Sequence, residues 1–175
     1  MPHNRTKRLT LAALLVAVML VLGYFESLLP AGPVPGIKLG LSNSVLLLAI
    51  LWLGIPEAFC LMACKVLLSG FLFAGVSAMM FSFAGGMLSM LVMSLLTRFH
   101  FGTVATGMAG GVAHNVGQVA LAIYLLQTDK LYYYMAVLML VGLATGFATG
   151  SVAGLLAQRL PKGLLPEANR KERTK

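Results

Sequence analysis

Long apolar runs alternate with short polar breaks along this chain, and the breaks mark out the elements. A polar, basic start at residues 1–8 leads into a first apolar span from about Leu9 to Leu29. Residues 30–37 hold three prolines and two glycines, which predicts a stiff, non-helical connection. A second span starts around Lys38 and ends near Trp52 and Leu53. Gly54-Ile55-Pro56 predicts a tight turn, with Pro56 in the first turn of a third span that runs to about Ala74. A short break at Gly75-Val76-Ser77 precedes a fourth span to Leu96. A basic loop with Arg98 and His100 follows, then a fifth span from about Thr103 to Leu126. After Gln127–Lys130, the run Tyr132-Tyr133-Tyr134 reads as an interfacial aromatic belt opening a sixth span to about Ala157. The tail from Arg159 is polar and basic.

The reading is an all-α bundle of six transmembrane helices at residues 9–158, between basic tails at 1–8 and 159–175. Composition agrees: 59% of the 175 residues are hydrophobic, 10% are charged, and the mean hydropathy is +0.90. A soluble domain carries about 25% charged residues. The first run follows a basic start, but no clear small-residue cleavage site follows it, so it reads as a retained helix. The second and third spans are short for a bilayer core, which takes about 20 residues; tilt or a protein-lined end would absorb the deficit.

The net charge of +8 sits mostly at the two ends. Arg5, Lys7, Arg8, Arg98, Arg159, Lys162 and the tail cations fall on one side, and Lys38 and Lys130 on the other. The positive-inside rule then places both termini in the cytoplasm. It accounts for the charge without a nucleic-acid partner, which would need a basic folded surface.

Cys60 and Cys64 stand i, i+4 with no further cysteine and no nearby histidine, so disulfide and zinc readings lack support. They are expected to be small core residues. Ala13 and Ala17 form a small-x-x-x-small pair on the first span, and Gly142, Gly146, Gly150 and Gly154 a longer stripe on the sixth. Both favour close approach of a helix, from within the bundle or from a partner.

Polar side chains inside a bilayer each need a reason. Glu26 lies about 4–6 Å inside the outer end of the first span. Lys38 opens the second at the same level, with Asn43 roughly 7 Å deeper. Lys65 falls near the midplane of the third span. On the fifth, His114 and Gln118 share a face with Asn115 one step round, and Gly107, Gly110 and Gly111 continue the stripe toward the cytoplasm. Ser42, Ser44 and Ser69 add hydroxyls. Four separated segments thus place polar groups between midplane and outer surface. A ligand cavity open to the outside would produce this distribution, with its mouth under the Pro-rich connection. The alternative is purely structural: Glu26 pairing with Lys38 or Lys65, and the fifth-span trio acting as interhelical hydrogen bonds.

Catalysis by the chain itself is not expected. Asp129 is its one aspartate, so no Asp-rich magnesium motif can be built. There is no phosphate-binding P-loop and no His-Glu-x-x-His. No cofactor is implied.

Three pieces carry a resemblance: Pro35-Gly36-Ile37-Lys38-Leu39-Gly40-Leu41-Ser42-Asn43, Leu67-Leu68-Ser69-Gly70, and Gly111-Val112-Ala113-His114-Asn115-Val116-Gly117-Gln118. Together the chain resembles the bacterial membrane family known as Gx transporter, also called heptaprenyl diphosphate synthase component I. The likeness covers nearly everything but the tails. The family pattern often has Ala at Ser42 and Arg at Lys65, and Lys gives up the bidentate fork of Arg. The six-helix plan is also similar to the substrate-binding S-components of energy-coupling-factor vitamin transporters. That resemblance implies a multi-pass protein of the bacterial cytoplasmic membrane. It also implies a small-molecule ligand held by Lys38, Asn43, Lys65, His114, Asn115, Gln118 and Glu26, and docking through Ala13 and Ala17 onto a transmembrane coupling protein driven by ABC ATPases. An uptake subunit is the first expectation. The synthase name implies the second: a non-catalytic membrane accessory, with a soluble prenyl synthase partner, in isoprenoid and menaquinone biosynthesis. Membrane lipid surrounds the chain in either case.

Overall fold

The computed structural model describes residues 2–28, 38, 40–128 and 130–159. The Pro-rich connection at 30–37, Asp129 and the tail from residue 160 onward lie outside the described residues. The described chain is helical, with no strand among the described residues. Helix α1 spans Pro2–Leu28, α2 Val45–Trp52, α3 Ile55–Ser69, α4 Gly75–Arg98, α5 Thr103–Leu126 and α6 Leu131–Arg159. A 3₁₀ turn at Leu41–Ser44 leads into α2, and a π turn at Gly70–Ala74 extends α3.

Four runs are long and apolar enough to cross a membrane: Arg5–Leu28, Ile55–Arg98, Thr103–Leu126 and Leu131–Arg159. This makes the chain a multi-pass membrane protein. The run Ile55–Arg98 is not one rod. Gly75 takes a left-handed φ of 80°, open to glycine at no steric cost. The chain doubles back there, so that Gly70 packs on Met79 and Gly86 on Met62. The chain around α5 is antiparallel as well: Gly110 meets Met93 of α4, and Gly107 meets Gly146 and Gly150 of α6. By contrast, α1 runs parallel to α3. Arg8 pairs with Glu57 at one end, and the Tyr24 and Phe73 rings stack edge-on at 5.5 Å at the other.

Helix α2 is the shortest, and all its described side chains but that of Leu51 are buried. Apolar all round suits lipid or protein, but eight residues are too few to span a bilayer core alone, and here the helix is covered by protein. It connects the two ends of the bundle even so. The 3₁₀ turn before it meets Glu26, while Arg8 donates to the Leu53 carbonyl just after it at 3.1 Å. Four residues of 3₁₀ rise about 8 Å, eight of α-helix about 12 Å, and the long arginine side chain covers the remainder. The core collects around this helix: Met19 of α1, Leu46 and Leu47 of α2, Met62 and Val66 of α3, and Met90 of α4 are all buried.

Two expectations are corrected. The first helix begins at Pro2 rather than about Leu9, because nothing in the polar tail breaks it and Arg8 anchors it to Glu57. Cys60 and Cys64 are exposed, not core residues. The inward face of α3 is taken by Ala58, Met62, Lys65, Val66 and Ser69, which turns the two cysteines to the outer surface. The described second helix starts at Leu41 as 3₁₀, with Lys38 ahead of it.

The glycine stripe of α6 is used within the chain. Added to Gly107, a Cβ would stand 2.7 Å from the Gly146 carbonyl oxygen and 2.8 Å from Gly150 Cα. The Gly142 and Gly111 backbones touch in the same way, and Gly154 faces Thr103. Ala13 and Ala17 are exposed, while Leu15 and Met19 fill the inward face of α1.

Candidate functional site

The polar side chains singled out along the sequence converge at one end of the bundle. Glu26 comes from α1, Lys38, Ser42 and Asn43 from the segment before α2, Lys65 from α3, and His114 and Gln118 from α5. Each is at least nine-tenths buried. Lys65 lies within electrostatic reach of Glu26, Lys38 and His114, and Lys38 within reach of Glu26 and His114.

Glu26 is committed to the backbone. Its Oε1 accepts from the Leu41 amide at 2.5 Å, and its Oε2 from the Ser42 amide at 3.3 Å and the Ser42 hydroxyl at 2.9 Å. The first amides of a helical turn have no partner of their own, and a carboxylate there meets both the donors and the dipole. Glu26 therefore caps the 3₁₀ turn and ties it to α1. Gln118 is committed too. Its Oε1 accepts from the Lys38 amide and its Nε2 donates to the Lys38 carbonyl, each at 3.0 Å. Asn115 Nδ2 donates to the Leu138 carbonyl at 2.6 Å and joins α5 to α6. These three residues position the framework.

Some polar atoms at this end stay unused. Asn43 Oδ1 and His114 Nδ1 are buried without a hydrogen bond, as is Asn115 Oδ1. Lys38 Nζ lies 5.3 Å from the centroid of the Phe73 ring, a cation–π contact. Lys65 is 3% exposed, and its ammonium has no hydrogen bond or ion pair among the described residues. Removing an ammonium from water without a partner costs several kcal/mol. Two cations thus share this end with a single carboxylate, which is already occupied.

Gly40 lets the segment in. Its φ of 87° is left-handed, and a Cβ there would stand 2.9 Å from His114 Cδ2. A cavity of about 10 Å³ adjoins the site between Gly40, Asn43, Leu47, Ser89 and Gly110. It has room for one water-sized molecule.

Phe73, Gly85 and Gly117 were not read as part of this site. Phe73 is one aromatic among many in the sequence and is set apart only by standing over Lys38. Gly85 and Gly117 let α4 and α5 touch: a Cβ on Gly117 would stand 2.9 Å from the Ala84 carbonyl oxygen. Arg8 and Glu57 were missed as a pair because they are far apart in sequence.

Against known proteins, the model of the family described as heptaprenyl diphosphate synthase component I matches residues 15–156. No curated protein and no solved structure matches the chain.

Proposed function

The chain belongs to the heptaprenyl diphosphate synthase component I family, and from that premise we propose that it is the membrane-embedded accessory of a prenyl diphosphate synthase whose catalytic subunit is a separate soluble protein. The family is a non-catalytic component. The family match over residues 15–156 carries the reading. The carboxylates support it. Ionising an allylic diphosphate takes magnesium held by carboxylates. The described residues offer Glu26, spent on the 3₁₀ turn, and Glu57, paired with Arg8 at the opposite end of the bundle.

The product class gives the membrane a role. A heptaprenyl chain has about 35 carbons, and each buried CH₂ is worth about 0.8 kcal/mol to membrane partitioning. A synthase held at the bilayer releases such a chain where it dissolves. In this reading the chain crosses the bacterial cytoplasmic membrane six times with both termini inside, α2 making the second crossing within protein. Arg5, Lys7, Arg98 and Arg159 are exposed. The antiparallel order gathers them at one end, which faces the cytoplasm and meets the soluble partner or anionic lipid. The uptake-subunit expectation rested on fold analogy, and the comparisons favour the synthase component.

The test is purification of the tagged protein from native membranes in mild detergent, with identification of what accompanies it. A soluble prenyl synthase subunit is expected, together with loss of long-chain prenyl diphosphate synthesis on deletion. Recovery of a transmembrane coupling protein with ABC ATPases, and no synthase, would overturn the reading.

A further inference from the structure

Lys65 is 97% buried, given its 3% exposure, and nothing among the described residues receives its ammonium. Lys38 and His114 lie within electrostatic reach of it, and Gly40, two residues past Lys38, packs on the His114 ring. The charges do not balance. Two ammonium groups face one carboxylate, and Glu26 has turned its oxygens to the Leu41 and Ser42 amides and the Ser42 hydroxyl. One positive charge is left over in a region closed to bulk water.

We infer that Lys65 and Lys38, beside His114, form a binding site for a small oxyanion of one net negative charge, a carboxylate or a singly charged phosphate. Ammonium groups are compact, strongly hydrated donors suited to such anions. A single negative charge neutralises the excess, whereas a fully ionised diphosphate would reverse it. The cation–π contact to Phe73 partly compensates Lys38 and leaves Lys65 as the principal counter-charge. The site lies at the Glu26 end of the bundle, away from the end where Arg8 meets Glu57, and stands independently of the synthase partnership.

The oxyanion could arrive free or on a lipid headgroup, and the test separates the two. Full-length protein is placed in phosphatidylcholine nanodiscs and titrated with inorganic phosphate, then with acetate, against chloride at equal ionic strength. Thermal unfolding is the readout, since a ligand bound to the folded state raises the midpoint. A saturable rise is expected with phosphate or acetate and not with chloride. Lys65→Gln should raise the half-saturating concentration at least about tenfold, and Lys65→Arg should stay within about threefold of wild type, since charge is kept. If the anion is a headgroup, phosphatidylglycerol nanodiscs raise the midpoint without added probe, and Lys65→Gln removes that rise. Should Lys65→Gln fail to fold, Lys38→Gln gives the same comparison, because the backbone tie of residue 38 to Gln118 is untouched. A wild-type protein that responds to phosphate and acetate as it does to chloride, and equally in both lipids, overturns the site. So does a response unchanged by both lysine replacements.

Discussion

The carboxamide of Gln118 and the peptide of Lys38 exchange two hydrogen bonds of 3.0 Å each, across 80 positions of sequence. A side-chain amide here completes a backbone unit as a neighbouring strand would, and it does so in the protein interior. Lys38 sits outside any regular helix, so its amide and carbonyl have no helical partners. Gln118 fixes the height at which the chain enters the bundle before α2, and with it where the Lys38 side chain begins.

Replacing Gln118 with Leu keeps the volume and removes both bonds. Two buried backbone groups are then unsatisfied, at about 1–3 kcal/mol each. The unfolding midpoint in detergent should fall sharply while membrane insertion persists, since α5 loses no apolar residue. Gln118→Glu keeps an acceptor for the Lys38 amide and sets a carboxylate against the Lys38 carbonyl. It should fall between Leu and wild type. Equal stability of all three proteins would show that residue 38 has another partner.

Glu26 predicts a graded series on the same segment. Ser42→Ala removes one bond to the carboxylate and should cost about 1–2 kcal/mol. Glu26→Gln keeps an acceptor and loses the charge, while Glu26→Ala loses every bond and leaves the first amides of the 3₁₀ turn bare. Thermal unfolding should rank the variants Ala at 26 worst, Gln at 26 next, Ala at 42 mildest. A Glu26→Ala protein no worse than Ser42→Ala would contradict the capping role.

Gly40 and His114 are coupled through space. Gly40→Ala imposes a left-handed φ on a residue with a Cβ, at about 1–2 kcal/mol, and drives that Cβ against the imidazole ring. The second cost depends on His114 and the first does not. Gly40→Ala should therefore be markedly less damaging in a His114→Ala background. A double-mutant cycle on unfolding midpoints measures the difference, and perfect additivity would refute the contact.

The sequence made the polar cluster legible because charge in an apolar run is rare and costly. It could not say which member does what. Glu26, Gln118 and Asn115 read as ligand groups beside Lys65 and His114; in the fold the Glu26 oxygens meet the Leu41 and Ser42 amides and the Ser42 hydroxyl, Gln118 meets the Lys38 backbone, and Asn115 gives its Nδ2 to Leu138 while its Oδ1 stays unpartnered. That assignment depends on where the segment before α2 comes to rest, and no local pattern encodes it. Helix periodicity fared differently at Cys60 and Cys64. Both are small and apolar enough for a core, and only the larger Met62, Val66 and Lys65 on the other face decide that α3 turns them outward. The six helical segments were readable from the breaks, including the reversal at Gly75. The short second one looked deficient by bilayer length, a criterion that does not bind a helix buried in protein.

Close packing of α5 on α6 predicts a position-dependent glycine series. Gly107→Ala and Gly146→Ala each push a methyl into facing backbone, which has no rotamer to escape into, and should strongly destabilise the fold. Gly154→Ala meets the Thr103 side chain, with Oγ1 2.7 Å from the new Cβ, and that side chain can turn away. Gly102→Ala meets nothing within 4 Å and serves as the control. The expected order of lost stability is 107 and 146 well above 154, with 102 near zero. A flat series would mean that the two helices sit farther apart than the glycines allow.

Six crossings with both termini inside make a prediction that four crossings do not. Reversal at Gly75 puts that turn and the Gln127–Lys130 connection at the same end of the bundle, and the Phe99–Gly102 connection at the other. If Ile55–Arg98 instead crossed once as a rod, residue 75 would lie near mid-bilayer. Native Cys60 and Cys64 are replaced by alanine, which their exposed positions tolerate. Single cysteines are then placed at Val76, Phe101 and Lys130, all exposed. A membrane-impermeant maleimide added to intact cells should label positions 76 and 130 but not 101. In inverted vesicles it should label 101 alone. Protection of position 76 from both sides would favour the rod and would separate α3 from α4, and with it Lys65 from the end of the bundle where Glu26 and Lys38 lie.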